Sequence, residues 1–182
     1  MEPHLSVPAA AADRPVTIAR LDSREDAEHC ARLMASSEPW VTLGRSYEAS
    51  LRILQDDTRE VYVARDRDGV AGCLILCMVG PFVGYIQTVL VHPERRGRGL
   101  GSRLVQFAEE RILRQSPNIF MCVSSFNDAA QRLYQRLGYR VVGELTDYLV
   151  QGHSEVLLRK TVGPISGYEP QRGGMAQGTD RR

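Results

Sequence analysis

Val91-His92-Pro93-Glu94-Arg95-Arg96-Gly97-Arg98-Gly99-Leu100-Gly101-Ser102 joins an apolar, strand-like run (Gly84 to Val91) to an amphipathic helix. The helix shows in Leu100, Leu104, Val105, Ala108 and Ile112, which recur on one face. Glycine at 97, 99 and 101 removes the Cβ from alternate positions of a tight turn, so N–H groups can converge on one point. The turn opens directly into a helix. Its first N–H groups have no intrahelical partner, and its dipole favours negative charge. Arg95, Arg96 and Arg98 lie in the same loop. This chemistry suits a di- or polyphosphate gripped by the main chain, with guanidinium groups alongside. Glycines alone would also fit an ordinary strand-to-helix turn. Arg96, the preceding Val-x-Pro and the helix that follows favour the phosphate site.

Two phosphate fingerprints fit badly. A dinucleotide fold asks for G-x-G-x-x-G and an acidic residue roughly 20 positions on, at the end of a second strand. Here Ser102 stands three residues after Gly99, and the next strand-like run ends Ser124-Ser125-Phe126-Asn127 without a carboxylate. A Walker loop needs Gly-Lys-Ser/Thr, and the sole lysine is Lys160. Net charge is +1, so the arginines mark a local site and no broad nucleic-acid or membrane surface. No apolar run approaches the ~18 residues of a membrane span, and the N-terminus does not read as a secretory signal. Cys30, Cys73, Cys77 and Cys122 form no C-x-x-C pair and read as reduced thiols of a cytoplasmic protein. No Cys/His cluster has zinc spacing.

The chain of 182 residues reads as one domain over about 15 to 162. An Ala- and Pro-rich arm (1–14) is expected to be disordered, and a Gly- and Gln-rich tail (163–182) flexible. Strands are expected at Val16–Arg20, Glu60–Arg65, Val70–Val79, Gly84–Val91, Pro117–Ser124, Tyr139–Leu145 and Glu155–Lys160. Asp66-Arg67-Asp68-Gly69 marks a hairpin. Helices start at Asp22 or Ser23, at Ser46, after Gly99 and at Asn127, each with an apolar face at helical spacing. The order is β-α-α-β-β-β-α-β-α-β-β. It predicts an α/β protein with a mixed sheet covered on both faces.

Arg96-x-x-Gly99-x-Gly101 matches the R/Q-x-x-G-x-G/A signature of the GNAT N-acetyltransferases, and the element order is also theirs. A second segment agrees. Asn127-Asp128-Ala129-Ala130-Gln131-Arg132-Leu133-Tyr134-Gln135-Arg136-Leu137-Gly138-Tyr139 resembles the family's N-x-x-A-x-x-x-Y-x-x-x-G-F/Y stretch. The resemblance spans about residues 15 to 160. It implies splayed central strands with acetyl-CoA lying between Ile86–Val91 and Ile119–Ser124. Val89, Leu90 and Val91 then meet the pantetheine arm, and a backbone N–H at Val89 polarises the thioester carbonyl. Such a donor is worth about 3 kcal/mol of barrier in comparable acyl transfers. Arg96, Gly97, Arg98, Gly99, Leu100, Gly101 and Ser102 are implied to hold the diphosphate, and Asn127 to cap its helix and touch CoA. Tyr134 is implied as the general acid toward the departing thiolate; by spacing alone it is an inward helix residue. Metal is not implied.

One position departs from the family pattern. Many relatives carry a glutamate base on the strand before the loop, where this chain has Gln87 followed by Thr88. Asp147, Glu144, His153 and Glu38 are the alternatives by sequence. The acceptor pocket is expected from Trp40, Gln87, Asp147, Tyr148 and His153. Trp40 is equally readable as core, and His153 as polar surface. The implied acceptor is an amine of a small molecule, a protein N-terminus or a lysine. A homodimer is admitted by the resemblance but fixed by no residue. The competing reading is a non-catalytic acyl-CoA-binding module on the same fold.

Overall fold

A computed structural model describes residues 15–169. The expected N-terminal arm and the last part of the expected tail lie outside the described residues. The elements are β1 (Thr17–Arg20), α1 (Arg24–Ala35), α2 (Tyr47–Leu54), β2 (Arg59–Asp66), β3 (Gly69–Cys77), β4 (Tyr85–Val91), α3 (Leu100–Ile112), β5 (Asn118–Ser124), α4 (Asp128–Arg136), β6 (Arg140–Leu145) and β7 (Glu155–Thr161). A short 3-10 turn, Pro93–Arg95, precedes α3. Helices α1, α2 and α4 start where their cap chemistry places them. Ser23 accepts from the Asp26 N–H, Ser46 from the Ala49 N–H and Asn127 from the Ala130 N–H.

One seven-stranded sheet runs in the order β1-β2-β3-β4-β5-β7-β6. All neighbours are antiparallel except β4 and β5. Insertion of β7 between β5 and β6 is not legible locally. It follows because β7 pairs with β5 along its whole length, Asn118↔Thr161 to Ser124↔Glu155.

Alternation along the strands divides the core in two. Leu74, Leu76, Met78 and Ile86 face α3 and α4, where Leu104, Val105, Ala108, Ile112 and Tyr134 close the layer. Cys73, Ile75 and Leu90 face α1 and α2 and pack on Ala31, Met34, Trp40 and Leu54. Fully burying one such aliphatic side chain contributes ~1.5–3 kcal/mol. The four cysteines are free thiols. Cys30 and Cys73 are buried, while Cys77 and Cys122 are half-buried.

The packed chain continues past the expected boundary at 162. The Tyr168 hydroxyl donates to the Leu113 carbonyl just beyond α3. Glycine and proline nearby made this stretch look unstructured, but one aromatic residue with a polar tip is enough to anchor it.

Candidate active site

The parallel seam between β4 and β5 is short. Tyr85↔Phe120 and Ile86↔Met121 pair, and the Phe120 N–H reaches the Gly84 carbonyl at 3.0 Å. Beyond them the strands part. β3 pairs with Thr88 and Ile86 but skips Gln87, so β4 carries a bulge there. β5 meanwhile stays zipped to β7. The β5-facing edge of β4 from Gln87 to Val91 is left without a ladder partner. A cleft of about 1010 Å³ opens along this gap.

The glycine loop closes one end. Gly97 and Gly99 have φ of 74° and 80°, a region costing L-residues with a Cβ roughly 1–2 kcal/mol. Gly99 is the N-cap of α3 and offers no side-chain cap. The first N–H returned into the helix is that of Arg103, to the Gly99 carbonyl at 3.1 Å. The amides of Leu100, Gly101 and Ser102 are therefore open, and these three residues line the cleft. Gly101 also lets α3 approach α4: a Cβ there would stand 3.3 Å from Leu133 Cδ2. A cradle of bare amides with no side chain filling it fits a diphosphate.

The loop arginines divide their work. Arg95 ties the loop to the β2–β3 hairpin through Asp66 at 2.7 Å and Asp68 at 3.0 Å. Arg96 lines the cleft, with Nε donating to the Val91 carbonyl at 3.3 Å. Arg98 is exposed and lies outside the cleft lining. Leu90 also points away from the cleft, into the α1–α2 core. Val89 and Val91 line the gap.

Tyr134 reaches the same cleft from α4 and is 8% exposed. Burial pushes its phenol up to about 12, so it keeps its proton throughout the neutral range. Asn127 lines the cleft while its side-chain carbonyl caps α4.

On the opposite face of the sheet the gap is lined by Tyr85, Gln87, Thr88, Cys122, Ser124 and Glu155. Gln87 is held: its carbonyl accepts from Arg59 Nη1 and lies 3.5 Å from Cys77 Sγ. Arg59 in turn pairs with Asp56 at 2.9 Å. Trp40 lines the cleft and also packs on the core, so both of its sequence readings apply. Tyr148 lines the rim, 60% exposed.

Asp147 and His153 do not reach the cleft. The Asp147 carboxylate accepts the Gly152 N–H at 2.6 Å and closes its own loop. His153 packs edge-on against Phe126, with ring centroids 4.9 Å apart. Sequence proximity to the last hairpin misplaced both. Of the other suggested bases, Glu144 is exposed on β6, and Glu38 sits at the rim accepting the Thr42 N–H at 3.3 Å.

Sequence reasoning missed Glu155. It is 4% exposed, lines the cleft and accepts from Ser124 Oγ at 2.6 Å. Burial pushes its carboxyl above the usual range, partly offset by the Ser124 bond. The available signal was a carboxylate opening an apolar strand, which reads as a turn residue unless its partner strand is known. Tyr85 and Cys122 were also missed. They touch, and burial raises both. Among the described residues no cluster of acidic, His or Cys side chains could hold a metal ion, and no helix is long and apolar enough to cross a membrane.

Comparison with known proteins agrees with this geometry. The model of the acetyltransferase (GNAT) family matches residues 23–139. The N-alpha-acetyltransferase RimI of Mycobacterium tuberculosis is 30% identical over 161 residues, 84% of this chain and 96% of that protein. An aminoglycoside 6'-N-acetyltransferase complexed with coenzyme A shares the fold at a TM-score of 0.66 and 18% identity, over 81% of this chain and 98% of the other. NAA60 of Arabidopsis thaliana, in complex with a bisubstrate analogue, aligns over the same shares at 0.66 and 17% identity. A splayed β4–β5 seam, a bare-amide loop at the start of α3 and a family match over most of the folded chain meet in one place: the chain belongs to the acetyltransferase (GNAT) family.

Proposed function

We propose that this protein transfers the acetyl group of acetyl-CoA to a primary amine, with the folded unit from residue 15 through the packed Tyr168 as the working unit. The observation that carries this is the parting of β4 from β5 directly above the open amides of Leu100, Gly101 and Ser102. Acetyl-CoA supplies an activated thioester. The protein's part is to hold, polarise and protonate. The amides of the loop and the start of α3 take the diphosphate, with Arg96 beside it. The unpaired edge of β4 at Val89 and Val91 receives the pantetheine arm as an added strand. An N–H at Val89 donates to the thioester oxygen as negative charge develops there. Tyr134, protonated because it is buried, donates to the departing sulfur.

The acceptor enters from the Trp40 and Tyr148 side. The carboxylates lining the cleft are Glu38 and Glu155, against Arg45, Arg95, Arg96 and Arg136. This balance disfavours a polycation, which needs several carboxylates. The rim is apolar and exposed at Val79, Phe82, Tyr148 and Leu149, and it suits a peptide. The acceptor proposed is therefore the α-amine of a protein or peptide, in keeping with the activity named for the Mycobacterium tuberculosis relative. Free thiols suit the reducing cytoplasm as its place of work.

The test is acetyl-CoA consumption against peptides with free N-termini, free amino acids, spermidine and an aminoglycoside. Turnover is expected with peptides above the rest. Tight CoA binding with no turnover on any amine would instead favour the acyl-CoA-binding module.

A further inference from the structure

Removing a proton from the attacking ammonium is the step that Gln87 leaves open. A carboxamide cannot accept that proton near neutral pH, and here its oxygen is already occupied by Arg59. Register locates a substitute. From the last paired residues, Ile86 and Met121, the bulge at Gln87 puts Leu90 and Ser124 three rungs further along the two strands, with Val89 one rung nearer the seam. Ser124 pairs with Glu155 across β5–β7 and donates to its Oε1 at 2.6 Å. Alternation puts Ser124, Cys122 and Glu155 on the face away from Tyr134, since Met121, Val123 and Leu158 fill the α3–α4 core. The one fully sequestered carboxylate of the cleft thus stands one rung beyond Val89, on the acceptor's side of the sheet. The phenol that serves the leaving sulfur is on the other.

We propose that Glu155 receives the acceptor's ammonium and takes its proton, supplying the base that Gln87 cannot. This rests on the acetyltransferase reading. The balance is simple. R–NH3+ gives one proton to the Glu155 carboxylate and becomes R–NH2. The amine nitrogen forms a bond to the acetyl carbon and the C–S bond breaks. The sulfur takes a proton from Tyr134, and the proton lost by the new amide nitrogen restores that phenol. Glu155 returns its own proton to solvent. The products are the amide, CoA thiol and one released proton.

The groups facing Glu155 leave it as the titrating element. Tyr85 on β4 and Cys122 on β5 are its titratable neighbours, and both are held neutral by burial. Its partner across β6 is apolar Leu145. Glu38 and Arg45 line the same cleft from the α1–α2 segment. Tyr148, on the β6–β7 loop, lines the same cleft and interacts with Tyr85.

The experiment is the pH profile of kcat/KM for wild type, Glu155→Gln and Ser124→Ala, with CoA affinity and melting temperature measured alongside. Wild type should gain activity as pH rises through the Glu155 titration. Glu155→Gln should lose about 10²–10⁴-fold in kcat and lose that limb, with CoA affinity kept. Ser124→Ala removes a bond that stabilises the carboxylate, so its limb should move to higher pH. A loss below about tenfold in Glu155→Gln, or a limb in the same place, overturns the proposal. Should Glu155→Gln fail to fold, the Ser124→Ala profile decides alone: a shifted limb supports the proposal and an unmoved one overturns it. Wild type inert toward every amine would overturn the acetyltransferase reading together with this one. Active wild type with an indifferent Glu155→Gln would overturn this one only.

Discussion

Gln87 and Tyr134 line the same cleft, and at the level of single residues the proposed chemistry turns on the contrast between them. Tyr134 is buried and keeps its proton, so it can donate to a thiolate without titrating near neutrality. Tyr134→Phe should cut kcat by about 10²–10⁴-fold while CoA affinity stays within a fewfold, as single-turnover kinetics and calorimetry would show. A matched fall in CoA affinity would make Tyr134 a packing residue instead. Glu155 carries a stability signature as well. Its folded carboxyl titrates above the unfolded one, so between the two values the native state binds more protons and stability falls as pH rises. Glu155→Gln, which stays uncharged and can still accept from Ser124, should escape that fall. Its melting temperature above the titration should equal or exceed that of wild type; a clearly lower one would contradict burial as the cause of the shift. The inward placement of Tyr134 and the tight turn of the glycine loop were legible because spacing carries them: i, i+3, i+4 along one helix, alternate glycines along one turn. Glu155 was not, because what makes it unusual is its burial beside Ser124, a partner from another strand. Asp147 and His153 misled for the converse reason: they lie near in sequence to the right hairpin, but loop closure and ring packing consume them.

Elements act here through how they end. β4 stops pairing with β5 after Ile86 because β3 and a bulge draw it one way while β7 holds β5 the other. Local pattern reveals each strand but not this divergence, which is a property of two registers at once. α3 begins on a left-handed Gly99 with no capping side chain, which leaves its first amides for a ligand. Gly99→Ala puts a Cβ into a φ of 80° and should cost about 1–2 kcal/mol, read by denaturant unfolding, and weaken CoA binding more than it changes kcat. Unchanged CoA affinity in a folded Gly99→Ala protein would remove the loop from the binding site. Arg95 belongs to this scale too, since its pairs with Asp66 and Asp68 fix the loop against the β2–β3 hairpin. Arg95→Ala should weaken CoA binding by loosening the loop, whereas Arg98→Ala, outside the cleft, should leave it near wild type.

At the scale of the molecule, the proposed function divides two binding duties between the faces of the sheet. The face under α3 and α4 carries Val89, Val91 and Tyr134; the face toward α1 and α2 carries Gln87, Ser124 and Glu155. The gap between β4 and β5 connects them. A ligand that bridges the parted strands binds only the folded chain, so it must raise stability by mass action. At 100 times Kd the gain is ~2.7 kcal/mol, or about 5–11 °C in Tm for a domain this size. CoA should produce it and NAD should not; the reverse would return the glycine loop to the dinucleotide class that its spacing excludes. The most direct measurement is a crystal structure of the protein with coenzyme A. The account predicts the diphosphate on the amides of Gly97 to Ser102, the pantetheine arm along Val89 and Val91, and the sulfur beside the Tyr134 hydroxyl. Coenzyme A bound elsewhere, with β4 and β5 drawn together or the loop amides taken up by the chain's own side chains, would contradict it.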